Sequence, residues 1–557
     1  MTHHTREGTV RWPAEVVADY RRLGYWEDRS LWDVLHESAQ PRLDHVAIVD
    51  GRHRLSYRDL YEKANAAAAG LRDLGLDQDD RLLIQLPNSW EFVALTLACF
   101  RSGIIPVMAL PAHRRHELTH LAQVSEAKAI AVPDRLRDFD HLALATRLRD
   151  ELPDLTHILV LGDEASATTN IGDLFTHVPH EHTVADLERW SPDPDSPACF
   201  LISGGTTGLP KLIVRTHNDY LCNVRATVST SGMDAASVYL GTLPSSHNFP
   251  LACPGILGAL LVGATAVMLP SPSPERVFAT IEAEGVTISA AVPAVAQTWL
   301  EHQRRVGGNQ LRSLQVLQIG GSRLPDKIAR HLTPELGCTV QQVFGMAEGL
   351  INTTRLEDSD EVICSTQGRP VHPGDEVRIL DAMGDDVADG TPGAIYTRGP
   401  YTPRGYYRAE EHNARSFLDG GWYGSGDVVV RRPDGNLVVH GRDKDMINRA
   451  GEKISAEEVE SLVYELQSVA MVAAVAMPDA LLGERVCVYV VPKPDAPEPT
   501  LQDIQEHFAA AEVAAFKVPE HLEVVPEIPT TKVGKIDKRQ LREDIAKLTD
   551  TRGELDG

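Results

Sequence analysis

The chain has 557 residues, 43% of them hydrophobic and 24% charged, which is enough for several cored domains and too apolar for long disorder. Lys+Arg number 54 against 79 Asp+Glu, a formal charge of −25, so nucleic acid and anionic membrane surfaces are poor partners. Seven cysteines without tight spacing describe a reducing compartment rather than a disulfide framework.

The opening Met1-Thr-His-His-Thr-Arg has no apolar segment of the kind a secretory signal needs, and a cytoplasmic protein is expected. Apolar runs at 81–86, 129–132, 158–162, 264–269, 287–292 and 314–319 alternate with helix-like stretches. Fully apolar strands between helices predict parallel sheets covered on both faces. Early in this region, His116-Glu117-Leu118-Thr119-His120 is a formal zinc-helix pattern, but no downstream residue completes a known ligand set. An exposed histidine pair beside Arg114 and Arg115 is expected instead. Pro-rich passages at 191–197 and 492–499 predict exposed connections.

Next comes Ser203-Gly204-Gly205-Thr206-Thr207-Gly208-Leu209-Pro210-Lys211. Glycines let backbone N–H groups approach phosphate oxygens, hydroxyls donate further bonds, and a lysine supplies countercharge. Pro210 before Lys211 separates it from the Walker A pattern. The run 251–269 is nearly all apolar but holds Pro254, Gly255, Gly258 and Gly263, which predicts a buried helix ending near Gly263 and then a strand, not a membrane span. From 377 to 440, short alternating strands and turns such as Pro433-Asp434-Gly435-Asn436 predict an antiparallel sheet or small barrel. A smaller αβ segment follows, with a helix near 456–466 and a strand near 471–476.

Five ordered motifs resemble those of the adenylate-forming superfamily of acyl-CoA synthetases, peptide-synthetase adenylation domains and luciferases. The glycine loop resembles that family's phosphate loop. Phe344-Gly345-Met346-Ala347-Glu348 resembles the motif whose glutamate helps hold Mg²⁺, with Ala347 where threonine is usual. Tyr423-Gly424-Ser425-Gly426-Asp427 resembles the ribose-binding motif, and Gly441-Arg442-Asp443-Lys444-Asp445 the hinge motif. Gly534-Lys535 resembles the end of the motif that carries a mobile catalytic lysine. The resemblance implies a large N-terminal domain (1–440) of two doubly wound mixed sheets plus a small β-barrel-like subdomain, and a smaller mobile C-terminal α+β domain (441–557). It implies ATP and Mg²⁺ as cofactors, catalysis by Lys535, Glu348 and His247, and ribose contacts from Asp427 and Arg442. Ser203, Gly204, Gly205, Thr206, Thr207, Gly208 and Lys211 would hold phosphate, while Gly321, Ser322, Val343, Phe344, Gly345, Met346 and Ala347 would complete the nucleotide site. Lys444 would be the hinge, and Gly451 and Lys453 would line a thiol tunnel.

Ser246-His247-Asn248-Phe249-Pro250-Leu251, the opening Trp12-Pro13-Ala14-Glu15 and Gly24-Tyr25-Trp26 resemble the branch that activates salicylate or 2,3-dihydroxybenzoate for siderophores. Asn248 stands where amino-acid activators carry an aspartate, and a neutral amide cannot balance an ammonium. The aryl pocket implied by the match is His247, Asn248, Phe249, Cys253, Gly320, Ser322, Val343 and Ile351. The resemblance places Cys253 beside the ring's 3-position, where a cysteine is similar to the salicylate activators and a serine to the 2,3-dihydroxybenzoate ones; a thiol also fills space beside a C3–H better than it pairs a 3-hydroxyl. Heteroaryl 2-hydroxy acids remain open. The expected acceptor is an aryl carrier protein, with free coenzyme A as the rival; a silent nucleotide-binding scaffold and a metalloprotease are the rivals of other classes.

Overall fold

A computed structural model describes residues 7–162, 167–203, 209–321, 323–324, 326–381, 383–442, 446–493, 496–529 and 538–553. Among these the apolar runs pair in parallel, as their two-faced burial requires. Arg81–Ile84 lies between Ile105–Met108 and Ala127–Pro133, and His157–Leu161 follows, within a seven-stranded sheet. A nine-stranded sheet carries Val238–Gly241, Thr265–Met268, Ile288–Ala291, Val316–Ile319 and Thr339–Gly345 as parallel neighbours.

Successive side chains enter opposite layers. Leu82 and Ile84 join Ile48 and Ala266 in a core shared by the two sheets, whereas Leu83 packs outward with Leu118, Leu121 and Leu144. The other outer face, around Leu240, Val267, Leu317 and Trp299, is covered by the helices Pro274–Glu284 and Pro293–Val306. Both sheets are thus doubly wound. The antiparallel sheet Glu376–Leu380, Gly393–Arg398, Trp422–Arg431 and Leu437–Arg442 follows, with the short Phe417–Leu418.

The small C-terminal domain is built on the hairpin Val469–Asp479/Gly483–Pro492, extended by Met446–Arg449, Glu452–Ser455 and His521–Val524. Val472 and Val488 face one core with Val459 and Phe508; Ala473 and Tyr489 face another with Leu541 and Ile545.

Three local expectations are corrected. The run after residue 247 forms two helices, Asn248–Ala252 and Gly255–Val262, because Pro254 brings no N–H and Gly255 takes φ +57°. The second does stop at Gly263, whose φ of +78° suits a glycine C-cap. Pro197 is buried at the start of the strand Pro197–Ser203, and before it Pro192 is buried and residues 193–196 are half-buried, so of the expected exposed connection only Ser191 is exposed. Pro492 likewise closes a strand. Among the described residues, no helix is long and apolar enough to cross a membrane.

Candidate active site

A cavity of about 570 Å³ opens beyond the carboxyl ends of the parallel strands in the nine-stranded sheet, the place where open α/β sheets hold ligands. Its walls come from the turns after Ile319 and Gly345, the hairpin Pro197–Ser203/Lys211–Thr216, the antiparallel sheet, and the C-terminal domain.

One end is polar. Ser203 pairs with Lys211 across the base of a hairpin, and both line the cavity. The loop residues between them, Gly204, Gly205, Thr206, Thr207 and Gly208, lie outside the described residues. The Lys211 ammonium is 5.2 Å from the centroid of the Tyr406 ring. Antiparallel pairing of Gly345 with Ile351 makes a tight turn whose tip carries Met346, Ala347 and Glu348 into the wall, below Phe344. The Arg215 guanidinium, itself fully buried, anchors that tip by donating to the Ala347 carbonyl at 3.1 Å. Its Nε donates to Asp219 at 2.6 Å. The Tyr406 hydroxyl donates to Glu348 Oε1 at 2.8 Å and lies 3.1 Å from the Tyr423 hydroxyl. Burial, reinforced by the Glu348 charge, pushes the Tyr406 phenol well above its ordinary range, so it stays a donor. Asp427, also buried, accepts from the Ser425 hydroxyl at 2.7 Å. Its backbone pairs with Arg442 on the adjacent strand.

The other end is apolar with two polar atoms. Phe249, Cys253, Val343 and Ile351 form one buried cluster, backed by Trp26 from the N-terminal segment. A Cβ on Gly320 would meet the Val343 carbonyl at 3.0 Å and the Phe249 ring at 3.1 Å, so a side chain fits here only if these neighbours give by a few tenths of an ångström. Gly321 has φ +91°, a left-handed conformation that glycine adopts without strain. His247 Nδ1 accepts the Phe249 N–H at 3.2 Å and starts the short helix that carries Asn248. The Tyr220 hydroxyl donates to Asn248 Oδ1 at 2.9 Å, which turns the amide nitrogen toward Cys253 Sγ, 3.4 Å away. An amide so oriented has its second N–H available for an oxygen on a ring in the cavity. Burial pushes the Cys253 thiol up to about 12, so it remains protonated.

Gly451 also lines this cavity; a Cβ there would press on Val292 at 2.7 Å. Lys453 lies on the strand Glu452–Ser455, paired with Asn448. Ser322, Lys444 and Lys535 fall outside the described residues. Arg215, Tyr220 and Tyr406 were not singled out from the sequence. Arg215 had a signal, a charge directly after the apolar run Leu212-Ile213-Val214; Tyr220, 28 residues from Asn248, had none.

The expected exposed pair His116 and His120 is corrected. Both rings are half-buried, and His120 Nε2 lies 2.9 Å from the Pro210 carbonyl. Glu117 between them is fully buried and accepts from Lys517 of the C-terminal domain at 3.1 Å. His116 is covered by Glu458 of the C-terminal domain and His120 by Pro210 of the large domain, distant partners that a local pattern does not register.

The family of AMP-binding enzymes matches residues 35–407, and the AMP-binding enzyme C-terminal domain matches residues 458–535. The chain is 52% identical over 549 residues to a Streptomyces protein named salicylyl-CoA synthase / salicylate adenylyltransferase, spanning 98% of this chain and 99% of the relative. It is 45% identical over 543 residues to the salicyl-AMP ligase / salicyl-S-ArCP synthetase of Mycobacterium tuberculosis, with 96% and 94% covered. The apo structure of Mycobacterium smegmatis MbtA matches with a TM-score of 0.74 at 44% identity, over 96% of this chain and 98% of that one.

Proposed function

This chain belongs to the family of AMP-binding enzymes, and from that premise we propose that it activates an aryl carboxylic acid with ATP and then loads it on the phosphopantetheine thiol of an aryl carrier protein. In the first step a carboxylate oxygen bonds to the α-phosphorus of ATP and pyrophosphate leaves. In the second, the thiol sulfur bonds to the acyl carbon, and AMP leaves with the C–O bonding pair. Salicylate is the preferred acid, a step toward siderophores or other aryl-capped peptides.

The observation that carries this reading is one cavity with a Tyr220-oriented Asn248 amide beside Cys253 at its apolar end and Glu348 with Asp427 at its polar end. Asn248 would hold the 2-hydroxyl, Cys253 would lie beside C3, and Phe249, Val343, Ile351 and Gly320 would bracket the ring. Asp427 and Arg442 would bind ribose, with Gly321, Ser322 and residues 343–347 near the adenine and α-phosphate. Ser203, residues 204–208 and Lys211 would hold phosphates, and His247 would approach the reacting carboxylate. Glu348 fits Mg²⁺: a buried carboxylate on the cavity wall, steadied by Tyr406, suits an ion that takes few protein ligands and draws the rest from water and phosphates. Such an ion supplies countercharge to the phosphates. Lys535 would place a cation between the two reacting anions. A division near 440/441 with a hinge at Lys444 would let the C-terminal domain present Lys535 first and the Gly451–Lys453 thiol path second. All seven cysteines are buried thiols, which fits a cytoplasmic enzyme.

Free coenzyme A is the second reading, because the 52%-identical relative carries that acceptor in its name. ATP–pyrophosphate exchange over salicylate, 2,3-dihydroxybenzoate and benzoate tests the first step, and a competition between carrier protein and coenzyme A tests the second. Salicylate should lead and the carrier should be loaded faster. A clear preference for 2,3-dihydroxybenzoate or an amino acid would overturn the substrate; faster coenzyme A acylation would overturn the acceptor.

A further inference from the structure

Glu117 sits on the helix Arg115–Ser125 of the large domain and has no exposed surface. Its Oε2 accepts the Arg114 N–H at 2.9 Å, within its own helix turn. Its Oε1 accepts from two groups of the C-terminal domain, Lys517 Nζ at 3.1 Å and the Ala514 N–H at 3.3 Å. Lys517 in turn donates to Glu458 at 2.8 Å, and His116 Nε2 lies 3.6 Å from the same Glu458 oxygen. Burial alone would lower the Lys517 ammonium, but Glu458 and Glu117 together outweigh it and hold the lysine above its ordinary value. A buried ion pair between bodies is costly to split, because each charge left without its partner is stranded in a poor solvent.

Glu458 and Lys517 reach the cavity wall themselves, and one element ties them to the Gly451 hairpin. Glu458 lies on the helix Ala456–Tyr464, which runs directly from the strand Glu452–Ser455, and that strand begins one residue after Gly451. Gly451 closes on Val292 and Gly321 at the mouth of the site. Holding Glu458 and Lys517 against Glu117 therefore holds the hairpin tip over the aryl-acid cavity.

We infer that Glu117 is a positioning residue for the second half-reaction: its ion pair with Lys517 latches the C-terminal domain in the arrangement that presents the Gly451 hairpin to the site. The inference rests on the two-step reading above. Breaking the latch should leave adenylation intact, because Glu117 bonds to Arg114, Ala514 and Lys517, none of them assigned to that step, and should slow acyl transfer. Couplings of this kind change an equilibrium about tenfold.

The test uses the full chain carrying Glu117→Gln, with salicylate as acid and pantetheine as thiol. Exchange should stay within about twofold while thioester formation falls about tenfold, and Glu117→Asp, which keeps the charge, should recover part of it. Domain position is read separately with no substrate. Arg147 of the helix His141–Glu151 meets Glu512 of the C-terminal domain, so Arg147→Cys with Glu512→Cys reports docking by bismaleimide crosslinking, the native cysteines being buried. Crosslink yield should drop when Glu117→Gln is added. Failure of salicylate exchange in the parent enzyme would sink the functional reading and leave the crosslink result standing. Equal loss of both half-reactions, or a crosslink yield indifferent to Glu117, would overturn the latch. Loss of the parent's circular dichroism in Glu117→Gln would overturn it too, since the carboxylate would then be holding the fold.

Discussion

The two ends of the cavity are held in different ways. At the polar end, Glu348 and the turn that carries it are fixed by charge and hydroxyl donors: Arg215 on the Ala347 carbonyl, Asp219 on Arg215, and Tyr406 on Glu348 itself. At the aryl end, close packing does most of the holding, with Gly320 tight against Phe249 and Val343 and weak bonds running from Tyr220 through Asn248 to Cys253. A charged framework answers to loss of one member with a stranded ion, whereas an apolar wall with one oriented amide answers with a change in fit. Stability and catalytic power should therefore reside at the polar end, and selectivity at the aryl end.

The largest effect is expected at Arg215. Arg215→Met leaves the Asp219 carboxylate buried without its partner, in a site where burial already raises it above the ordinary aspartate range. Urea unfolding should show a loss of about 3–5 kcal/mol, the usual cost of breaking a buried pair. A midpoint unchanged by the substitution would mean that charge does not hold this end.

Lys535→Ala should lower ATP–pyrophosphate exchange by about 10²–10³ and spare thiolation from supplied aryl-adenylate, as loss of a charge-stabilising donor does elsewhere. A parallel fall in both half-reactions would remove Lys535 from the polar end.

A smaller change is expected at Tyr220. Tyr220→Phe removes the donor that orients Asn248, so the KM for salicylate should rise about tenfold while benzoate, with no hydroxyl to bind, is unaffected. Equal effects on the two acids would show that Tyr220 acts only through packing.

Smallest is Cys253→Ser, which exchanges a weak donor for a strong one beside the ring. The preference for salicylate over 2,3-dihydroxybenzoate should narrow by about three- to tenfold in exchange rate. An undiminished preference would move the specificity determinant away from position 253.

Much of this molecule is legible residue by residue. Strand-length apolar runs such as 129–132 and 314–319 became parallel strands because a two-faced sheet buries every position, and Gly263 stops its helix because a left-handed cap costs glycine little. Ala347, Glu348 and Asp427 could be named in advance, since each belongs to a short contiguous motif whose spacing a tight turn or strand imposes. Tertiary packing alone decided the rest. Nothing local distinguishes Tyr220 from any core tyrosine until its helix is laid beside Asn248. The pattern around Glu117 is that of a metal-binding helix, yet its carboxylate meets a lysine 400 residues away. Backbone sterics and burial period act over a few residues and leave a readable trace, whereas the partner of a buried charge is chosen by which distant surfaces the folded domains bring together.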